Sequence, residues 1–337
     1  MDIKKIGKNI VMSLAIPVIV YVALFLICML TGHSGFGTGS DLQTIMYNSI
    51  YAGLIALAMS MNLTSGRFDF SVGATLVLAT ILGGNIAKEM QFGAVGLLVV
   101  VVLIGAVIGL VSGLVYVLLG LPPMVVSLGL AMIYEAIGFI YNKSKGVKLI
   151  GKSKMLVYSK MPWSLVVMAV VLFVLVVLWD YTKFGYNRKA LASGQKIATD
   201  VGINEKKNAV ICYVIAGVLL GIAGCVYISK YGTMTPETGL ASSSYFMSAF
   251  LPMFIGGAIG KYSSHPIGVF IGAITQAFIT SAFVCLGFSS SLITVLNGVI
   301  VMLFLIYTSN SYILVEQKMF HEKLEKAKEA RNTTSAS

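Results

Sequence analysis

The sequence predicts an all-α, polytopic membrane protein with about ten transmembrane helices. Its 337 residues are 57% hydrophobic and 11% charged, whereas a soluble domain carries about 25% charged residues. Apolar runs of roughly 20 residues recur along the chain, which is the length that a helix needs to cross a bilayer. The runs do not alternate as barrel strands do, so helices are the predicted spans.

Ten apolar runs are candidate spans. The first follows three lysines and, since it is long enough to span and more spans follow, it is predicted to be a retained helix rather than a signal peptide. The third and eighth runs are short or rich in polar residues. In chain order the runs lie near 10–30, 42–62, 71–87, 94–119, 123–142, 162–181, 207–229, 244–260, 267–287 and 291–308.

Ten spans place both termini on one side, and the positive charges predict that this side is the cytoplasm. With the N-terminus inside, 16 of the 24 Lys and Arg residues lie on the inner side, as the positive-inside rule requires. The loop at 143–160 carries six lysines and departs from the rule. Either it lies outside despite them, which we expect, or a span before it is miscounted. Residues 1–312 are predicted to form one transmembrane domain, and 313–337 a charged cytoplasmic tail.

Several candidate spans carry glycines four residues apart. Close packing through small residues is important in lipid, where no hydrophobic drive brings helices together. The spacing predicts helix packing within one chain, with a dimer face as the alternative. The glycines are Gly105, Gly109 and Gly113, Gly217 and Gly221, Gly256 and Gly260, and Gly268 and Gly272.

The sequence carries no signature of an enzyme or a metal site. The nearest approach to a phosphate loop, GGAIGK at 256–261, has three residues where the motif needs four, and Tyr262 follows in place of Ser or Thr. The cysteines and histidines lack metal-ligand spacing. The net charge of +11 is assigned to loop lysines rather than to nucleic-acid binding. The chain is therefore predicted to have no catalytic residues and no metal.

Two polar segments interrupt the apolar pattern. The stretch MNLTSGRFDFSVGATL at 61–76 places Arg67 and Asp69 between apolar flanks, and ionisable groups in such positions are usually functional. The segment at 182–208 is predicted to hold a short helix, with Asn204 as the N-cap of the next span. That short helix is either an exposed connector or a docking element for a motor subunit.

Three segments carry a resemblance to a known family: NLTSGRFDFSVGA at 62–74, LGLPPMVVSLG at 119–129 and FGYNRKALASGQKIATDVGIN at 184–204. They resemble, in the same order, motifs of the membrane permease subunits of ribose-type ABC importers, which include simple-sugar and autoinducer-2 permeases. The resemblance extends from about residue 42 to 310. It implies about ten helices, cytoplasmic termini and a place in the bacterial plasma membrane.

The resemblance also implies partners and functional residues. ATP would be bound by separate ATP-binding subunits, so the permease needs no cofactor of its own. An extracytoplasmic sugar-binding protein would deliver the solute, and a second permease, either a copy or a paralogue, would complete a dimer. The coupling segment would include Ala190, Gly194, Ala198, Gly202 and Ile203. The pathway is expected to be lined by Asn62, Thr64, Ser65, Asp69, Ser71 and Asn297. The alternative is that their hydroxyl groups only form local hydrogen bonds to helix carbonyls.

This chain also departs from the family pattern. Gly194 stands where the family usually has Asn, while Phe246 and Ser248 replace two acidic residues. Glu135 stands where Arg is frequent, which leads to the hypothesis that Arg67 and Glu135 form an intramembrane charge pair with Asp69 between them. The departures also fit a permease that forms a heterodimer with a paralogue in which the family motifs are retained.

The predicted function is the permease subunit of an ABC-type sugar importer. One alternative keeps the ABC class with nucleosides or branched-chain amino acids as cargo. A stand-alone ion-coupled carrier is the alternative from another class, but its usual set of intramembrane carboxylates is sparse here. The sequence does not name the sugar.

Overall fold

The computed structural model describes residues 3–33, 35–260, 262–308 and 310, with side chains from Met12 onward. The predicted tail at 313–337 lies outside these residues. Within them, eight helices are long and apolar enough to cross a membrane. The helices are α1 (Ile3–Leu30), α2 (Gly39–Leu63), α3 (Val72–Glu89), α4 (Ala94–Leu119), α5 (Pro123–Ile140), α6 (Trp163–Asp180), α7 (Lys183–Ser193), α8 (Gln195–Asp200), α9 (Glu205–Tyr231), α10 (Ser243–Met247), α11 (Phe250–Ile259), α12 (His265–Cys285) and α13 (Ser290–Thr308).

All ten predicted spans are helical, and the two that fall outside the eight long apolar helices are the third and the eighth. The third is α3, which ends with the charged residues Lys88 and Glu89. The eighth is divided between α10 and α11. Pro252 lies in the first turn of α11 and has no N–H to donate to the carbonyl of Ser248, so a continuous helix is interrupted there.

The helices α2 and α9 form the centre of the molecule, whereas α1 and α13 lie at its edge. The apolar windows of α2 and α9 are 72% and 67% buried, against 17% for α1 and 6% for α13. In a membrane protein, the exposed apolar faces of the outer helices are the faces that lipid solvates. The cleft described below is lined mainly by the inner helices α2 and α12.

Glycines bring α4 and α9 into backbone contact, which confirms packing within the chain. A Cβ at Gly105 would overlap the carbonyl oxygen of Gly217, and a Cβ at Gly217 would overlap that of Gly105. The glycines of α11 and α12 make the same kind of contact. A Cβ at Gly256 would lie too close to the carbonyl oxygen of Gly268, and a Cβ at Gly268 would lie too close to that of Gly256. Close approach of this kind is the use of small residues in membrane helices.

The lysine-rich loop and the segment at 182–204 lie at opposite ends of the bundle. The loop residues Val147–Lys148 form β1, which pairs antiparallel with β2 (Thr233–Met234) just after the C-terminus of α9. The segment at 182–204 precedes the N-terminus of α9. Asn204 caps that helix as predicted, because its side chain accepts from the N–H of Lys207 at 2.9 Å. If the 182–204 end faces the cytoplasm, the lysine-rich loop is outside.

Candidate translocation and coupling site

The segment at 62–71 forms a turn between α2 and α3, and polar groups within it hydrogen-bond to one another. Asp69 Oδ1 accepts from the N–H and the hydroxyl of Ser71 at 2.8 and 2.6 Å. The amide of Asn62 donates to Asp69 Oδ2 at 3.4 Å. Gly66 has a φ of +75°, which favours glycine. The carboxylate of Asp69 therefore links Asn62 at the end of α2 with Ser71, the residue that precedes α3.

This turn lies against α7, at the end of the bundle that holds the predicted coupling segment. Arg188 donates to the carbonyl of Ser60 at 3.1 Å and to the hydroxyl of Thr64. The predicted pathway residues at 62–71 are thus engaged in local bonds or in contact with α7. Ser65 is buried there without a hydrogen-bond partner among the described residues. Asn297 lies apart on α13, whose buried face packs against α11 and α12.

Arg67 and Glu135 do not pair, so the predicted intramembrane charge pair is wrong in this structure. Arg67 is 2% exposed and its guanidinium lies 3.7 Å from Glu205 at the start of α9. Glu135 lies on α5 and accepts the backbone N–H groups of Leu240 and Ser242 at 2.8 and 2.9 Å. The two charges therefore lie at separate places: Glu135 bonds to backbone N–H groups, whereas Arg67 has the ion-pair contact with Glu205 and no hydrogen bond from its guanidinium among the described residues. Asp69 does not lie between them as a bridge.

Glu135 fixes the turn that precedes α10. Its carboxylate is 4% exposed and uses both oxygens on backbone donors. The same segment passes close to α3, where a Cβ at Gly73 would overlap the carbonyl oxygen of Ser242. Hydrogen bonds to a charged group contribute more than neutral ones. Glu135 is therefore a structural anchor for the chain that leads into α10.

Glu135→Gln is expected to lower the free energy of unfolding by about 2 kcal/mol, because the amide keeps only one acceptor oxygen. One backbone N–H then loses its acceptor and the other bonds to a neutral group. Thermal unfolding of the purified protein in detergent measures the change. Glu89→Gln, at an exposed carboxylate, is the matched control and should change little. Equal melting temperatures for the two variants would contradict the anchoring role.

The predicted coupling residues lie in α7, α8 and the turns that follow them. Gly194 separates the two helices, and Gly202 ends α8 with a φ of +92°. The N–H of Ile203 bonds to the carbonyl of Ala198 at 3.1 Å, which closes the helix end in the manner of a Schellman motif. The outer face of α8 exposes Ile197 and Val201 at 73% and 74%. This exposed apolar pair fits a docking face.

Arg188 joins α7 to the ends of three other helices. Besides its bonds to α2, its guanidinium lies 3.6 Å from the centroid of the Trp179 ring on α6. Trp179 in turn stacks on His265 of α12 with ring centroids 5.3 Å apart. Burial lowers the pKa of Arg188 to about 9, so the side chain remains a cation at neutral pH. Arg188 thus contacts α2 and α6 directly and α12 through the Trp179 ring.

A second contact reinforces this junction. Asp180 at the end of α6 accepts from Lys189 at 2.8 Å and from the hydroxyl of Ser264 at 2.5 Å. Ser264 is the residue that precedes α12. The ends of α6, α7 and α12 are thus held together by one carboxylate.

A polar cleft of about 230 Å³ lies between α2, α12 and the break between α10 and α11. The side-chain oxygen of Gln276 and the hydroxyl of Tyr51 are buried there without a hydrogen-bond partner among the described residues. Sequence analysis did not single out these two or Asn48. The signal was present, because Asn48 and Gln276 are carboxamides within apolar spans. The lining residues are Asn48, Tyr51, Ala52, Ser248, Ala273, Gln276, Ala277 and Thr280.

Phenylalanine rings connect the turn at 62–71 with α10 and α11. Phe68 stacks on Phe250 with centroids 5.8 Å apart, and Phe70 meets the edge of Phe246 at 6.2 Å. Phe246 belongs to α10 and Phe250 begins α11. The turn that contacts Arg188 on one side therefore packs against α10 and the start of α11 on the other.

Comparison with known proteins identifies the family. A family model described as branched-chain amino acid transport system / permease component matches residues 42–307. This chain belongs to that permease family. The permease is a multi-pass membrane protein, and such a protein in a bacterium resides in the plasma membrane. As a permease component, it is one part of a transport system and is not itself an enzyme.

Several relatives of this permease are sugar importers by name. It is similar to a fructose import permease of Bifidobacterium longum, with 22% identity over segments that cover 86% of this chain and 90% of the relative. It is 26% identical to a galactose/methyl galactoside import permease of Haemophilus influenzae, covering 71% and 76% of the two chains. It is 21% identical to a ribose import permease of Escherichia coli, covering 80% and 85%.

Proposed function

We propose that this permease forms the translocation pathway of an ABC-type importer for a monosaccharide or a closely related sugar. The observation that carries the proposal is the cleft between α2 and α12. All of the described residues that line it are uncharged, and five of them offer hydrogen-bonding side chains. Donors and acceptors without charge suit a neutral solute with many hydroxyl groups. The sugar permeases among the relatives support the same class of solute.

The uncharged lining of the cleft also argues against a branched-chain amino acid, the cargo that the family description names. A branched-chain amino acid carries a carboxylate and an ammonium group, and burying an ion requires a compensating partner. The cleft supplies carboxamide and hydroxyl groups instead. A nucleoside is neutral, so this argument does not separate it from a sugar, and the experiment below includes one.

ATP hydrolysis is assigned to separate ATP-binding subunits that dock on α7 and α8. Their docking face would include Ile197 and Val201, with the predicted coupling residues Ala190, Gly194, Ala198, Gly202 and Ile203 shaping the two helices behind it. Movement of α7 would act through Arg188 on α2 and α12, the two helices that line the cleft. Such a junction fits a switch between two orientations of the cleft.

The remaining partners are an extracytoplasmic sugar-binding protein and a second permease, identical or paralogous. The binding protein would dock at the end that carries the lysine-rich loop at 143–160. Recovery of one permease species from the native host would indicate a homodimer, and recovery of two a heterodimer.

The test is uptake by the complete transporter. Proteins that co-purify with the chain identify its partners, and the complex is then reconstituted in proteoliposomes with the binding protein. We expect ATP-dependent uptake of a labelled monosaccharide, with no competition from leucine or adenosine. Uptake of leucine or adenosine in place of sugar would overturn the assignment of a sugar as the transported solute. Uptake by the purified chain alone, driven by an ion gradient, would overturn the ABC assignment.

A further inference from the structure

Two stacked tyrosines lie between the polar cleft and a second cavity. Tyr47 and Tyr51 are on successive turns of α2, with ring planes within 4° of each other and centroids 6.3 Å apart. Tyr51 lines the cleft. Tyr47 lines a cavity of about 330 Å³ that also contacts Gln43 and Ser164. The two rings therefore span the distance between the cavities.

The second cavity lies toward the end of the bundle opposite α7 and α8. It is formed by the first turns of α2 and by the residues that lead into α6, including Lys160 of the lysine-rich loop. The exposed amine of Lys230, near the C-terminus of α9, lies 3.8 Å from the centroid of the Tyr47 ring. A lysine over a tyrosine face is an attractive contact. We refer to this space as the outer cavity.

The hydroxyl groups of both tyrosines are buried and have no hydrogen-bond partner among the described residues. Leaving a buried hydroxyl unbonded costs about 1–3 kcal/mol, so native structures usually satisfy such groups. Other tyrosines of this chain follow that rule. Tyr134 bonds to Ser112 at 2.8 Å, and Tyr245 reaches Glu237 at 3.4 Å. The two unbonded hydroxyls belong to the pair that separates the cavities.

We propose that Tyr47 and Tyr51 form an aromatic passage through which a neutral, polyhydroxylated solute moves from the outer cavity into the cleft. A tyrosine ring presents an apolar face and a polar tip, which match the C–H face and the hydroxyl groups of a sugar ring. The solute forms a hydrogen bond with the hydroxyl of Tyr47, replaces it by one with the hydroxyl of Tyr51, and then bonds to the side-chain oxygen of Gln276. This inference rests on the proposed function for the class of solute, while the passage itself rests on the geometry.

Cysteine labelling tests the passage without knowledge of the solute. Tyr47→Cys and Tyr51→Cys are made in the full complex with Cys285→Ser, because Cys285 is the one native thiol that is not fully buried. An impermeant thiosulfonate reagent is added from the binding-protein side. We expect both positions to react at least tenfold faster than Ile50→Cys, a fully buried neighbour on the same helix. Equal rates at positions 47, 50 and 51 would overturn the passage.

Variants that keep the rings test the hydroxyl groups, since removing a ring could itself open a path. Tyr47→Phe and Tyr51→Phe are each expected to lower the initial uptake rate about fivefold, as the loss of one hydrogen bond to the moving solute predicts. Tyr21→Phe, in a separate aromatic cluster with Phe36 and Phe278, is the control and should transport normally. Wild-type uptake by the double variant would overturn the role of the hydroxyls.

The two proposals fail in different ways. If the solute is not a sugar, the wild-type complex takes up no monosaccharide, yet positions 47 and 51 still react with the reagent. If the passage is wrong, the wild-type complex transports sugar, but labelling at these positions is no faster than at Ile50→Cys. Protection of Tyr51→Cys from the reagent by transported sugar would support both.

Discussion

Arg188→Ala is expected to reduce ATP-dependent uptake by more than tenfold while the complex continues to hydrolyse ATP. The substitution removes the donors to Ser60 and Thr64 and the contact with the Trp179 ring. A hydrogen bond from a charged group contributes about 1.5–3 kcal/mol, and a buried cation–π contact about 2 kcal/mol. Loss of both would remove the contact of α7 with α2 and leave only the half-exposed Lys189–Asp180 pair between α7 and α6, so we expect movement of α7 to be poorly coupled to the cleft.

Uptake and ATP hydrolysis are measured on the same reconstituted complex. Lys189→Ala is the neighbouring control: its ion pair with Asp180 is half-exposed, and exposed pairs contribute only about 0–1 kcal/mol, so most transport should remain. Thr64→Val removes one acceptor while leaving Arg188 in place, and a partial loss of uptake is expected. Wild-type transport by Arg188→Ala would contradict the role of this junction.

The second large effect is expected at the contact between α4 and α9. Gly217→Val would place side-chain atoms where the carbonyl group of Gly105 lies. Overpacking by a methylene or two costs about 1–3 kcal/mol when side chains can adjust, and backbone cannot adjust without separating the helices. We expect little folded protein in detergent extracts, as measured by size-exclusion chromatography of a fluorescent fusion.

Gly129→Val on α5 is the control, because a Cβ at Gly129 meets no atom within 4 Å. It should give a normal yield of folded protein. The experiment also addresses the alternative that the glycines form a dimer face. A folded monomer that no longer dimerises would support that alternative and contradict the packing between α4 and α9.

The spans and the glycine contacts could be predicted from the sequence because both depend on local patterns. Twenty apolar residues determine a span, and glycines four apart determine a narrow helix face. The Asn204 cap was predictable for the same reason, since the bond joins residues three apart. In each case the residues that matter are neighbours in the chain.

The partner of Arg67 and the residues of the cleft could not be predicted in this way. Arg67 has Glu205 as its partner, 138 residues away, and nothing in the sequence ranks that residue above Glu135. The turn at 62–71 was predicted to line the pathway because its polar groups are concentrated, and this stays a prediction. Its sequence did not show that Asn62, Asp69 and Ser71 bond to one another. The cleft brings Asn48 together with Gln276. That pairing depends on how α2 and α12 pack.

The interruption between α10 and α11 has a consequence for how such proteins diversify. It leaves the carbonyl of Ser248 without the helical donor that Pro252 cannot supply, and Ser248 borders the cleft. As long as Pro252 is retained, that carbonyl has no donor from residue 252 whatever side chain stands at position 248. Substitutions of the other side chains around the cleft therefore leave this feature of the backbone unchanged.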